Sequence, residues 1–114
     1  MSNAYKYTQV GAATATPRML NRQIVNNVII YLVLYANTSI AKTTRLQHLE
    51  DAATILEHIV SDFNDELDQE VRDILYYGFL RILEKTKIAI VSKNELVSFK
   101  DEIGFLNVLI GFLQ

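Results

Sequence analysis

The side chains able to do chemistry are sparse in this sequence, and their spacing points away from catalysis. His48 and His58 are its two histidines, and on a helix ten residues place them about 80° apart around the axis. His58 and Asp62 stand four apart, a spacing that can hold a metal ion, but no third ligand accompanies them, so they read as a solvated surface pair. Glu50, Asp51, Asp62, Asp65, Glu66, Asp68 and Glu70 form an acidic stretch. It lacks the alternating acids and the glycine of a calcium loop and reads as solvation and helix capping. No glycine-rich phosphate loop, dinucleotide fingerprint or nucleophile elbow is present. Six tyrosines with few arginines could stack on bases, but at helical spacing they read as core or groove residues. No catalytic residue, metal site or cofactor is expected, and the chain does not read as an enzyme.

Composition narrows the class further. The 114 residues suit one domain with a single core. Half are hydrophobic and 21% charged, with a formal net charge of −2 and a pI near 5.6. A nucleic-acid binder needs a basic excess to neutralise phosphates, so that class is disfavoured. Cysteine is absent, which removes disulfides and thiolate metal sites and fits a reducing cytoplasm. The opening residues have no continuous apolar segment of the signal-peptide type. The longest apolar run, 28–36, is nine residues, whereas a membrane span needs roughly 20. No membrane insertion is expected.

One proline and four glycines leave few breaks, which favours long helices. Residues 1–15 show no periodicity and read as an extended arm. Thr16-Pro17 predicts a helix start, with threonine as cap and proline at the first helical position. The first helix is expected over about 17–36, with Leu20, Ile24, Val28, Tyr31 and Tyr35 on one stripe and Val25, Ile29 and Leu32 beside it. The second, about 44–63, has the clearest amphipathic pattern, with Leu46, Leu49, Ala53, Leu56, Ile59 or Val60, and Phe63 inward. The third, about 68–91, is expected to turn Val71, Ile74, Leu75, Gly78, Ile82 and Ala89 inward. Tyr76, Tyr77, Phe79, Leu80 and Leu83 widen its apolar surface. Ser98 to Asp101 resembles a capping box that opens a fourth helix over about 98–113. Short connections predict an all-α, four-helix antiparallel bundle forming a single domain.

The first, third and fourth helices carry more apolar surface than one stripe. Each side chain buried is worth roughly 1.5–3 kcal/mol, so something must cover the excess. One way is mutual: these three helices form the middle and the second lies outermost. The others are a groove for a partner's amphipathic helix, or a homodimer face.

The order Ala4-Tyr5, Gln9, Thr16-Pro17-Arg18, Ile24, Val28 is similar to the start of the FlaF family of flagellar proteins. Asn64, Leu67, Val71-Arg72, Phe79 and Thr86 resemble that family's middle section, and Leu106-Asn107, Ile110 and Leu113 its end. The resemblance spans nearly the whole chain through shared order, with no single strong motif. Asn21 stands where the family has an acidic residue, and its helix-2 tryptophan is missing. A second resemblance, carried by 7–20 and 49–68, is to the FliS flagellin chaperones, although their Gly-Gly stretch and longer loop are absent. Both imply a cytoplasmic protein that binds flagellin. The first implies promotion of flagellin synthesis and secretion and opposition to an FlbT-type regulator. On that basis helices 1 and 4, with the arm, are expected to receive the helical terminal segments of flagellin. Ile24, Val28, Tyr31, Tyr35, Phe105, Leu109 and Phe112 would supply the apolar contacts and Arg18 a polar anchor. The alternatives are a homo-oligomeric helical protein without flagellin binding, and a regulator acting on flagellin mRNA.

Overall fold

The structure, a computed structural model, describes residues 20–63, 69–92 and 96–113. These form four helices: α1 (Arg22–Ala36), α2 (Lys42–Ser61), α3 (Gln69–Val91) and α4 (Lys100–Ile110). No strand occurs among the described residues, and the fold is an all-α bundle. The arm at 1–15, the Thr16-Pro17 start, Arg18, Asn64 and Leu67 lie outside the described residues. No helix among the described residues is long and apolar enough to cross a membrane.

The helix starts differ from expectation where a side chain or a burial competes better. α1 begins at Arg22, five residues after Pro17, because Asn21 is the cap. Its backbone is extended (φ −129°, ψ 165°) and its Oδ1 accepts from Ile24 N at 3.0 Å. Leu20, just before the cap, and Val25, at the fourth helical position, are both core residues, which is the placement of a hydrophobic staple. α2 starts two residues earlier than expected, at Lys42, without a side-chain cap. Arg45 Nε instead donates to the Ile40 carbonyl at 3.0 Å and braces the turn before it. α4 has no capping box. Phe99 occupies the cap position, and Ser98 Oγ accepts only a long 3.4 Å bond from Lys100 N. Regular helix ends at Ile110, after which tighter i→i+3 bonds carry the chain through Phe112 and Leu113.

The contacts fix an up-down-up-down order. Between α2 and α3, Phe63 meets Tyr76 and Phe79 while Glu57 pairs with Lys87 at 3.1 Å, so the two run in opposite directions. Between α3 and α4, Phe79 meets Phe105 while Lys85 meets Glu102, again antiparallel. α1 packs on α2 and on α4. The second helix is therefore not outermost: α2 lies between α1 and α3 and is covered on both flanks. Its single stripe, Leu49, Ala53, Leu56 and Ile59, faces the core as expected.

α3 is rotated from its expected setting. Its core residues are Phe79, Ile82, Leu83, Thr86 and Ala89, whereas Val71 and Ile74 are exposed. Two apolar stripes run along this helix. Turning Phe79 and Leu83 inward buries the bulkier set beside Phe63, and the other stripe is left in solvent. Thr86, fully buried, satisfies its hydroxyl by donating to the Ile82 carbonyl at 2.8 Å.

Candidate partner-binding surface

The residues expected to meet a partner divide among three different seams. Val28, Tyr35 and Leu109 are buried in the core, so in this conformation they offer a ligand no free face. Ile24 is half-buried against the same core. Tyr31 turns to α2, where its ring stacks on His48 with centroids 5.8 Å apart. His48 is half-buried there, and its Nδ1 has no hydrogen-bond partner among the described residues. Tyr35 turns to the start of α4. Its hydroxyl accepts from Val97 N at 3.0 Å, and its ring meets Phe99 edge-on at 5.7 Å. Tyr35 thus ties the segment leading into α4 to the end of α1, a core function that its position in an apolar stripe did not reveal.

Phe105 faces α3 rather than α1. Its ring lies over Gly78, where an added Cβ would come within 2.8 Å of it, and it meets Phe79 edge-on at 6.1 Å. Phe112 is 80% exposed just past the end of α4. The seam expected between helices 1 and 4 is closed by their packing. What stays open along it is a largely polar depression between Asn21, Arg22, Asn26 and Asn107, and a smaller apolar one by Ala36, Leu96 and Ile103.

The α3–α4 seam is different. A groove of about 290 Å³ runs between the helices over Gly78, Ile82 and Phe105, with Arg81 and Asp101 at its edges. Its closed end is held by charge: Lys85 Nζ donates to both oxygens of Glu102, at 2.9 and 3.0 Å, and lies 5.4 Å above the Phe99 ring. Glu102 reads in the sequence as an ordinary first-turn acid, yet it is buried, and its partner is what makes that burial tolerable. Towards the opposite ends of the two helices, beyond the Gly78–Phe105 contact, further apolar side chains stay in solvent. Ile74 and Tyr77 on α3, and Val108 and Phe112 on α4, are all more than half exposed there.

The groove itself is lined by Gly78, Arg81, Ile82, Asp101, Glu102 and Phe105, and the exposed Ile74, Tyr77, Val108 and Phe112 are not part of its lining. Among the described residues no three potential metal ligands cluster. Of the expected contact residues, Phe105 lines this groove and Phe112 is exposed past the end of α4. The expected contact set does not include Ile74, Tyr77 or Val108; the widened apolar surface of the third helix is the signal for Tyr77 and the apolar excess of the fourth the signal for Val108, whereas Ile74 reads as an inward residue. No family model, curated protein or solved structure matches the chain.

Proposed function

We propose that this chain is a non-catalytic binding module of the flagellar apparatus, holding flagellin in the cytoplasm before export. The observation that carries the reading is the apolar surface that α3 and α4 leave in solvent among the described residues, Ile74 and Tyr77 on the one and Val108 and Phe112 on the other. Exposed apolar surface of this kind is a docking site for an amphipathic helix, which would lay residues at i, i+3, i+4 and i+7 along it. The resemblance to FlaF and FliS supplies the identity of that helix, a terminal segment of flagellin, and an FlbT-type regulator as the opposing partner. Holding such a segment needs no reacting group. It requires only that apolar surface prone to aggregate be covered until release.

Relative to the expected surface, the site moves from the α1–α4 side to the α3–α4 side, because Val28, Tyr35 and Leu109 are used up in the core. Co-expression with flagellin followed by size-exclusion chromatography tests the reading. The two proteins are expected to co-migrate, and Val108→Asp and Phe112→Asp to weaken the complex at least tenfold. Both positions are exposed, so the helical signal should be unchanged. Separate migration of two folded proteins would remove flagellin as the partner.

A further inference from the structure

The outward face of α3 carries a second pattern, independent of flagellin. Ile74, Tyr77, Arg81, Glu84, Ile88 and Val91 follow one another at spacings of three, four, three, four and three. That is the seam of a coiled coil, with 3.5 residues per repeat. Among the described residues no other helix covers this seam: Ile74, Tyr77, Ile88 and Val91 are 62, 63, 61 and 75% exposed, and Tyr77 meets only its chain neighbour Tyr76 ring to ring. Arg81 and Glu84 are also exposed, and neither belongs to an ion pair among the described residues. The stripe extends over 18 residues of one unbroken helix, about 26 Å at 1.5 Å per residue.

The order of its members selects the occupant. Placed against itself in the opposite direction about a two-fold axis between positions 82 and 83, the stripe sets Ile74 against Val91 of the second copy and Tyr77 against Ile88. In the two central layers Arg81 meets Glu84 and Glu84 meets Arg81. Apolar residues then meet apolar residues, and the four central charges alternate in sign. A parallel pairing would instead oppose Arg81 to Arg81 and Glu84 to Glu84, a like-charge arrangement that is destabilising. A self-complementary patch of this kind is what an isologous two-fold interface requires.

We infer that the outward face of α3 is a homodimer interface, in which two copies pair antiparallel through Ile74, Tyr77, Ile88 and Val91 around a central Arg81–Glu84 quartet. The dimer shares Ile74 and Tyr77 with the apolar surface proposed for flagellin, so a second copy and a helix bound there would compete.

Sedimentation equilibrium of the full chain over a wide concentration range reads the association directly. A reversible dimer is expected. Tyr77→Glu and Ile88→Glu should each raise its dissociation constant at least tenfold while leaving helicity unchanged. Arg81→Glu should weaken it, and Arg81→Glu with Glu84→Arg should restore it. The chain has no cysteine, so direction can be read without background. Ile74→Cys and Val91→Cys variants, each alone, should not cross-link on mild oxidation, whereas their mixture should. Several results would overturn the proposal: a monomer at every concentration, a dimer indifferent to both Glu substitutions, or cross-linking of the single variants with themselves. A monomer whose Tyr77→Glu variant loses flagellin would assign the stripe to that partner instead.

Discussion

α2 and α3 are neighbours of similar length, and they spend their apolar residues differently. α2 has one stripe, both of its flanks are covered, and its outer side carries Glu50, Thr54, Glu57 and Ser61. α3 has two stripes. Phe79, Ile82, Leu83, Thr86 and Ala89 build the core, while Ile74, Tyr77, Ile88 and Val91 stay exposed among the described residues. The bundle consumes one apolar face per helix. A second face on one helix is therefore surplus to folding, and it is that surplus which points to partners.

The sharpest test of this division pairs two aromatic residues two positions apart on α3. Phe79 is completely buried and touches Phe63 and Phe105, so Phe79→Ala removes a large side chain that its surroundings cannot refill. A loss of about 3–5 kcal/mol is expected. Tyr77→Ala removes a ring that is mostly in water, and its effect on the stability of the monomer should stay within about 0.5 kcal/mol. Urea unfolding at low protein concentration measures both. Equal losses would mean that the two faces are not distinct.

How far the sequence foretold this division follows from the same contrast. In α2 periodicity names a single face, and its inward residues are legible one by one. In α3 the competing stripes are comparable in hydrophobicity, and only the neighbours decide which turns inward. From periodicity alone Ile74 belongs inside, and Phe79 and Leu83 only widen the apolar surface. α1 and α4 show the converse error: Val28, Tyr35 and Leu109 looked free to bind because three helices shared an apolar excess, and the bundle buried them. Asn21 reveals a smaller gap. A Thr-Pro start is a strong local signal, yet the asparagine five residues later makes the observed capping bond. The pairing of Lys85 with Glu102, 17 positions apart in the chain, has no local signature at all.

That pair lies where the core face of α3 meets the groove, and its two halves are unequally wet. Glu102 is about 9% exposed at its side chain and Lys85 about 34%. Removing the lysine strands a buried carboxylate, whereas removing the glutamate leaves an ammonium that can turn to water. Lys85→Ala is therefore expected to cost about 2–3 kcal/mol, and Glu102→Ala about 1 kcal/mol. The double substitution should cost less than the sum of the two. Denaturant unfolding of the full cycle measures the coupling, and additive losses would show the pair to be a surface contact without consequence.

The smallest expected effects come from two glycines, one at each side of the boundary between core and surface. An alanine methyl at Gly78 would lie 2.8 Å from Phe105 Cζ and 3.3 Å from Cε2. The ring must shift off its edge-on seat against Phe79, at a cost typical of overpacking, about 1–3 kcal/mol. Alanine's better helix propensity returns about 1 kcal/mol, so Gly78→Ala should be net destabilising by roughly 1 kcal/mol and should disturb the groove. Gly104 lies on the outer side of α4, and a methyl there meets nothing within 4 Å. Only the propensity term remains, and Gly104→Ala should stabilise by about 0.5–1 kcal/mol. That corresponds to a rise in Tm of ~2–6 °C for a domain of this size. Thermal unfolding followed by circular dichroism reads both signs in one experiment. Opposite signs place the limit of the core at the Gly78–Phe105 contact, with the outer side of α4 beyond it. A destabilising Gly104→Ala would mean that this outer side is already covered in solution, and the surplus apolar surface would then be smaller than the exposed residues of α3 and α4 imply.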